Sequence, residues 1–243
     1  MMGRVLLGML TPSSNTVLEP NCVAMLREVP DVSVHFGRFR VTEIALNAQA
    51  LAQFDDEPMI EAAALLADAR VNALCWNGTS AGWLGFDSDR ALCAAIERRT
   101  TIAATSSVLS LAEVFRRTKV ERFGLVTPYT DQVQARILDS FGAEGFRCVA
   151  ERHLGIADNF AFSEVSSDAL IAMVRAVAAA RPQAITIFCT NLRGPPLVED
   201  LEREIAIPIY DTIATGLWGT LRLAGSDPRR IRRWGRLFRD VVP

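Results

Sequence analysis

Short apolar segments alternate with longer amphipathic segments along almost the whole chain. Residues 4–10 (RVLLGML), 32–41 (VSVHFGRFRV) and 71–77 (VNALCWN) have the length and apolar content of strands. Residues 58–70 and 89–100 have the apolar spacing of helices. Because this alternation is typical of parallel sheets with helices on both faces, we predict an α/β fold.

The second half of the chain repeats landmarks of the first half. Residues 121–131 (ERFGLVTPYTD) resemble residues 3–15 (GRVLLGMLTPSSN): an apolar run, then Thr-Pro, then polar residues that open a helix. We therefore predict two pseudo-symmetric lobes, each a parallel sheet flanked by helices, with the site in the cleft between them. The predicted lobes cover 1–115 and 116–225, and a C-terminal helix covers 226–243.

Composition excludes several classes of function. The formal net charge of -2 does not favour a nucleic-acid partner. No segment approaches 18 consecutive apolar residues, and the N-terminal apolar run is short, so we expect neither a membrane span nor a signal peptide. The five cysteines are widely spaced and lack a CxxC pair, which argues against disulfides and zinc. A cytoplasmic location fits these features.

Polar residues follow four of the predicted strands at the points where the strands end. They are Thr11-Pro12-Ser13-Ser14-Asn15, Gly78-Thr79-Ser80, Thr127-Pro128-Tyr129-Thr130 and Cys189-Thr190-Asn191. Ligands of α/β sheets bind beyond the carboxyl ends of the strands, so we expect these residues around one cleft. One thiol and many neutral donors suit a carboxylate substrate and a negatively charged intermediate. These residues include no metal-binding set, so we expect no metal.

Four of these segments resemble a known family. TPSSNTVLEPN (11–21), NGTS (77–80), VTPYTD (126–131) and FCTNLRG (188–194) are similar to the aspartate/glutamate racemase superfamily, in particular its maleate isomerase and arylmalonate decarboxylase branches. The resemblance covers nearly the whole chain. It implies two pseudo-symmetric lobes, a site between them and no cofactor.

The resemblance also implies which residues act. Racemases of the superfamily carry one cysteine per lobe; here Cys189 matches the second position, but the first falls on Gly78. A two-thiol racemase is therefore disfavoured, and so is plain maleate isomerisation, which uses the first-lobe cysteine as nucleophile. We interpret the nearby Cys75 as a core residue.

Glycine in the first lobe and a single cysteine in the second match the decarboxylase branch. By that resemblance Thr79, Ser80 and Tyr129, with the N–H groups of Ser80 and Thr190, form a dioxyanion hole for the carboxylate that remains. The other carboxylate lies in an apolar pocket and leaves the substrate as carbon dioxide. Cys189 then protonates the resulting enediolate on one face.

One feature resembles maleate isomerases instead. The segments TPSSNT (11–16) and GIADNFA (155–161) imply that Asn15 and Asn159 hydrogen-bond a substrate carboxylate, and we place Pro12 and Ser14 of the first segment at the substrate as well. The expected substrate is a small carboxylate or dicarboxylate, more polar than an arylmalonate.

Three functions remain open from the sequence. The leading hypothesis is a cofactor-independent decarboxylase of a substituted malonate-type acid. The alternatives are a maleate isomerase or related racemase, and a non-catalytic carboxylate binder. Several site residues also have purely structural interpretations: a buried thiol for Cys189, helix caps for Thr79, Ser80 and Asn15, and packing for Tyr129. Apolar helix faces on both lobes are compatible with a homodimer.

Overall fold

The computed structural model describes residues 4–243, which form two four-stranded parallel sheets. The strand orders are β2-β1-β3-β4 and β6-β5-β7-β8, so the two sheets have the same topology. This repetition confirms the predicted α/β fold with two similar lobes. The strands are β1 (Val5–Pro12), β2 (Val32–Phe39), β3 (Ala73–Trp76), β4 (Ala104–Ser106), β5 (Arg122–Val126), β6 (Arg147–Arg152), β7 (Ala184–Ile187) and β8 (Ile209–Asp211).

Helices flank both sheets, and several begin at a polar cap. Side chains of Asn47, Ser106, Ser166 and Asp211 accept hydrogen bonds from backbone N–H groups in the first turn of the helix that follows each of them. The helices are α1 (Leu18–Met25), α2 (Ala48–Ala52), α3 (Asp56–Asp68), α4 (Ala81–Leu84), α5 (Phe86–Thr100), α6 (Ser107–Arg117), α7 (Asp131–Ala143), α8 (Ser167–Ala178), α9 (Val198–Ile205), α10 (Thr212–Leu223) and α11 (Arg236–Asp240).

Two helices connect the lobes. Helix α6 follows the last strand of the first sheet, yet its Phe115 ring packs against Phe123 and Tyr210 of the second sheet, with centroids 5.4 and 6.1 Å away. Helix α10 follows the last strand of the second sheet and packs on α6, β3 and β4. Thr215 of α10 donates a hydrogen bond to the carbonyl oxygen of Ser107 at 3.1 Å. The lobes therefore share one core.

The C-terminal segment differs from the predicted helix over 226–243. The structure has a short 3-10 turn at Pro228–Arg230 and a single α-helix, α11, at Arg236–Asp240. Between them Arg233 and Gly235 adopt the left-handed backbone region, with φ of 67° and 94°. Left-handed residues cannot continue a right-handed helix, so the segment folds back on itself.

Two predicted absences can be compared with the described part of the chain. Among residues 4–243, no helix combines the length and the apolarity that crossing a membrane requires. Within the same range, histidine, cysteine and acidic side chains form no group of three or more that could hold a metal ion. Cys22, Cys75, Cys93, Cys148 and Cys189 are all free thiols.

Candidate active site

Cys189 lies just beyond the carboxyl end of β7, an interior strand of the second sheet. Its side chain is buried, and its sulfur accepts a hydrogen bond from the Asn191 N–H at 3.4 Å. Burial raises the pKa of the thiol to about 12, although the Tyr129 hydroxyl and the Asn191 N–H act in the opposite direction. The thiol therefore carries its proton at neutral pH, as a proton donor must before it reacts.

Tyr129 connects this thiol with the first lobe. Its phenol oxygen lies 2.5 Å from Thr79 Oγ1, a hydrogen bond between the loop after β5 and the loop after β3. The hydroxyl also interacts with Cys189, and burial holds the pKa of the phenol well above its ordinary value. Thr79, Tyr129 and Cys189 thus form one row of neutral, protonated groups between the sheets.

Gly78 directly precedes Thr79 in the first-lobe loop after β3, and the indole ring of Trp76 covers it. A Cβ atom placed on Gly78 would come within 2.5 Å of three ring atoms of Trp76. The indole Nε1 donates to Ser80 Oγ at 3.2 Å, which leaves the hydroxyl proton of Ser80 free to donate elsewhere. The packing requires glycine at residue 78 and allows no side chain there without movement of Trp76.

Two backbone donors of the predicted dioxyanion hole are available. Within the described range 4–243, the N–H groups of Ser80 and Thr190 donate to no protein acceptor. Both residues are buried. Buried N–H groups without a partner are uncommon, and a ligand oxygen would satisfy them.

Asn15 joins the two lobes with all of its amide groups engaged. Its Nδ2 donates to the carbonyl oxygen of Thr190 at 2.9 Å, and its Oδ1 accepts from the N–H groups of Val17 and Leu18 at 2.9 Å each. Asn15 therefore caps the turn that leads into α1 and also holds the Thr190 loop.

A second set of contacts between the lobes involves Asn159 and Asn191. Asn159 Nδ2 donates to Ser14 Oγ at 2.8 Å, and Asn191 Nδ2 donates to the carbonyl oxygen of Asn159 at 2.6 Å. Asn191 Oδ1 accepts from the Thr16 N–H at 3.0 Å. These bonds bring the segment 155–161 against the first-lobe turn that the sequence analysis placed at the same site.

Pro12, a predicted substrate-binding residue, and Cys75, interpreted as a core residue, lie in neighbouring strands of the first sheet. Pro12 ends β1, and its carbonyl oxygen accepts from the Asn15 N–H at 3.1 Å. Cys75 is fully buried within β3, where burial raises the pKa of its thiol to about 12. It points away from water among core residues, as its interpretation as a core cysteine requires.

Sequence comparison identifies the family of this chain. The family model described as arylmalonate decarboxylase matches residues 7–238, which is nearly the entire chain. The chain belongs to the arylmalonate decarboxylase family. Its relatives include a maleate isomerase from Nocardia farcinica, 28% identical over 98% of this chain and 97% of the relative. The arylmalonate decarboxylase from Bordetella bronchiseptica is 25% identical over 96% of this chain and 95% of the relative.

Solved structures of the arylmalonate decarboxylase family have the same architecture. A cysteine-to-serine variant of the Nocardia farcinica maleate cis-trans isomerase, with a covalently bound succinylcysteine intermediate, superposes with a TM-score of 0.89 at 25% identity and covers 97% of this chain and 98% of that one. A liganded variant of arylmalonate decarboxylase, with one glycine changed to cysteine and one cysteine to serine, gives 0.85 at 24% identity over 97% and 99%. The family thus comprises enzymes of both types.

Two contributors to this arylmalonate decarboxylase family site, Trp76 and Asp211, were not found by sequence analysis, and the bridging role of Asn191 was not predicted. Trp76 covers Gly78, Asn191 bridges the lobes, and the buried carboxyl of Asp211 lies near Cys189 and raises the pKa of its thiol. Trp76 and Asp211 each end a strand beside the site, and Asn191 lies in the quoted FCTNLRG segment. Their position was visible in the sequence, but the direction of their side chains was not.

Proposed function

We propose that this protein is a cofactor-independent carboxy-lyase that removes one carboxylate from a substituted malonate-type acid. The observation that carries this proposal is the one-sided placement of acid groups between the lobes. A protonated thiol lies on the second-lobe side, whereas Gly78 and the Trp76 ring lie on the first-lobe side. A racemase needs a proton carrier on each face of the substrate, but a decarboxylase needs only one proton donor.

Neutral donors around the site suit the retained carboxylate. The hydroxyls of Thr79, Ser80 and Tyr129 and the free N–H groups of Ser80 and Thr190 would bind its two oxygens. Negative charge develops on these oxygens as the reaction proceeds, and fixed neutral donors stabilise it without forming a permanent ion pair. We propose this set as the dioxyanion hole.

The chemical step then needs no further group. The bond between the α-carbon and the second carboxylate breaks, carbon dioxide leaves, and the electron pair passes into an enediolate on the retained carboxylate. The Cys189 thiol gives its proton to the α-carbon, which restores the acid and leaves a thiolate. A proton from water then returns the thiolate to the thiol. Because the donor lies on one side only, the product has one configuration.

Asn15 and Asn159 remain proposed ligands of a second polar group of the substrate. Their amides are bonded within the protein, to Thr190 and Ser14 respectively. Contact with a carboxylate would require an exchange of these bonds. The site residues are nearly inaccessible to water, so substrate entry would require the same bonds to open.

A maleate isomerase is the second candidate. It is supported by the 28% identity to the Nocardia farcinica maleate isomerase and by the positions of Asn15 and Asn159 next to the first-lobe turn. In this reaction another group would have to replace the nucleophile that Gly78 lacks.

Proton NMR in deuterium oxide tests both candidates. The purified protein is incubated with a panel of substituted malonates and with maleate. Loss of one carboxylate with incorporation of a single deuterium supports the lyase, and conversion of maleate to fumarate refutes it in favour of the isomerase. Saturable binding without turnover of any compound would indicate a carboxylate-binding protein.

Two cysteine variants make the test specific. Cys189→Ser should abolish turnover, because a serine hydroxyl is a far weaker acid than a thiol. Cys93→Ser, a matched change at a buried cysteine of α5, should leave turnover intact. Full activity of Cys189→Ser would show that Cys189 is not the proton donor.

A further inference from the structure

Asp211 ends β8, next to the strand that leads into Cys189. Its Cα pairs with that of Ile187 in the sheet, two residues before Cys189. The carboxyl is completely buried. One oxygen, Oδ1, caps α10 by accepting from the N–H groups of Ile213 at 2.8 Å and Ala214 at 3.4 Å. The other oxygen, Oδ2, finds no hydrogen-bond partner anywhere in residues 4–243.

The free oxygen lies beneath the loop that carries the thiol. A Cβ atom placed on Gly194, where the loop 189–194 ends, would collide with Asp211 Oδ2. Gly194 itself has an ordinary φ of -74°, so the backbone does not require glycine. The requirement comes from the side chains that occupy this space, chiefly the carboxyl oxygen of Asp211 and, less closely, Ile187.

The first lobe has neither a thiol nor a carboxyl at the positions that correspond to Cys189 and Asp211. Trp76 pairs with Ser106 in the first sheet as Ile187 pairs with Asp211 in the second. Ser106 caps α6 through a bond from the Leu109 N–H at 3.0 Å, just as Asp211 caps α10. Serine is sufficient for capping, so capping alone does not account for a buried carboxyl. The lobe with the thiol has the carboxyl, and the lobe with Gly78 has a hydroxyl.

We propose that Asp211 is a positioning residue for Cys189, which supports the loop 189–194 and sets by its charge how readily the thiol releases its proton. This inference rests on the proposed function, in which Cys189 is the proton donor. A neutral carboxyl allows a thiolate to form nearby, and an ionised carboxyl repels it.

Two other titratable groups face Asp211 or Cys189 and interact with them. Cys22 of α1 faces the carboxyl, and Tyr129 faces the thiol from the loop after β5. Burial raises the pKa of Asp211 to about 8, against the effect of the Ile213 and Ala214 N–H groups. Asp211 is thus neutral at pH 7 and becomes charged above about pH 8, where its charge raises the pKa of the Cys189 thiol further.

The test measures alkylation of Cys189 by iodoacetamide against pH, in the absence of substrate, with the modified peptide quantified by mass spectrometry. At pH 6.5, where Asp211 is neutral, Asp211→Asn and wild type should react at equal rates. At pH 9.5 the variant should react about tenfold faster, which corresponds to a thiol pKa one unit lower. A merely structural role would change the rate equally at both pH values.

Two further variants keep the result interpretable. Asp211→Ser retains a capping hydroxyl and removes the charge but leaves space beneath Gly194, so its alkylation rate is compared with wild type as a ratio. That ratio should rise about tenfold between pH 6.5 and pH 9.5, as for Asp211→Asn, even if the asparagine variant folds poorly. Asp89→Asn is the matched control, because Asp89 is also buried with a free Oδ2 but faces Cys75 and Cys93. It should leave the Cys189 profile unchanged.

Parallel profiles for Asp211→Ser and wild type over the whole pH range would overturn the proposal. Failure of the proposed function is seen separately, because it is judged by turnover of the wild-type protein in the NMR assay. An effect of Asp211 on alkylation with no turnover of malonates would retain this inference and refute the lyase.

Discussion

The hydroxyl groups of Thr79 and Tyr129 lie 2.5 Å apart, and this hydrogen bond joins the first-lobe loop after β3 to the second-lobe loop after β5. Both side chains are buried, so the bond is protected from water. Because Tyr129 also interacts with Cys189, a change at this bond affects the donors for the carboxylate and the thiol together.

Tyr129→Phe should reduce turnover by about 10²-fold, the usual effect of removing one donor to a developing oxyanion. It should also raise the pKa of Cys189, since the Tyr129 hydroxyl lowers it. Steady-state kinetics and thiol alkylation measure the two effects. Tyr210→Phe is the matched control, because Tyr210 is a buried tyrosine of β8 whose ring packs against Phe115. Equal losses in both variants would contradict a specific role for Tyr129.

Gly78→Ala should destabilise the protein by about 1–3 kcal/mol, because the new methyl group collides with the Trp76 ring. Urea denaturation measures this loss. The control is Gly142→Ala in α7, where a Cβ atom meets nothing within 4 Å. That change should stabilise the helix by about 0.5–1 kcal/mol. Combining Gly78→Ala with Trp76→Leu should cost less than the sum of the two single changes.

Asn191→Ala should lower the free energy of unfolding by about 2–4 kcal/mol, since it leaves the Thr16 N–H and the Asn159 carbonyl without partners. Asn21→Ala, which removes one half-buried bond within α1 and the turn before it, should cost about 1 kcal/mol or less. Chemical denaturation compares the two variants. Similar losses would indicate that the contacts between the lobes contribute little to stability.

Asp89 should give the protein a pH-dependent stability. Burial raises its pKa from 3.8 to about 7, so the folded state binds the proton more tightly than the unfolded state does. The contribution of protonated Asp89 to the free energy of unfolding is therefore fully present below about pH 4. It is lost as the pH rises to about 7. Denaturation curves should therefore show Asp89→Asn gaining about 4 kcal/mol relative to wild type between pH 4 and pH 8. A constant difference across this range would contradict the assignment.

The sequence predicted the elements that depend on local pattern. Alternating strands and helices and the repeated Thr-Pro turns were sufficient to predict two α/β lobes, and strand ends were sufficient to bring Thr79, Tyr129 and Cys189 together. The packing of the Trp76 ring over Gly78 was not predictable, because tertiary contacts decide how a side-chain ring is oriented. The helix predicted over 226–243 was wrong for a related reason: an arginine-rich pattern does not reveal that Arg233 takes a positive φ.

The exchange of α6 and α10 between the lobes constrains how the chain can fold during synthesis. The first sheet is covered on one side by α10, which begins at Thr212, near the end of the chain. A ribosome that has completed the first half therefore presents a sheet whose surface over β3 and β4, where α10 packs, has no cover. Until α10 emerges, that surface is open to chaperones and to aggregation. The two halves are similar in architecture, yet the first cannot complete its native packing before the end of the second is made.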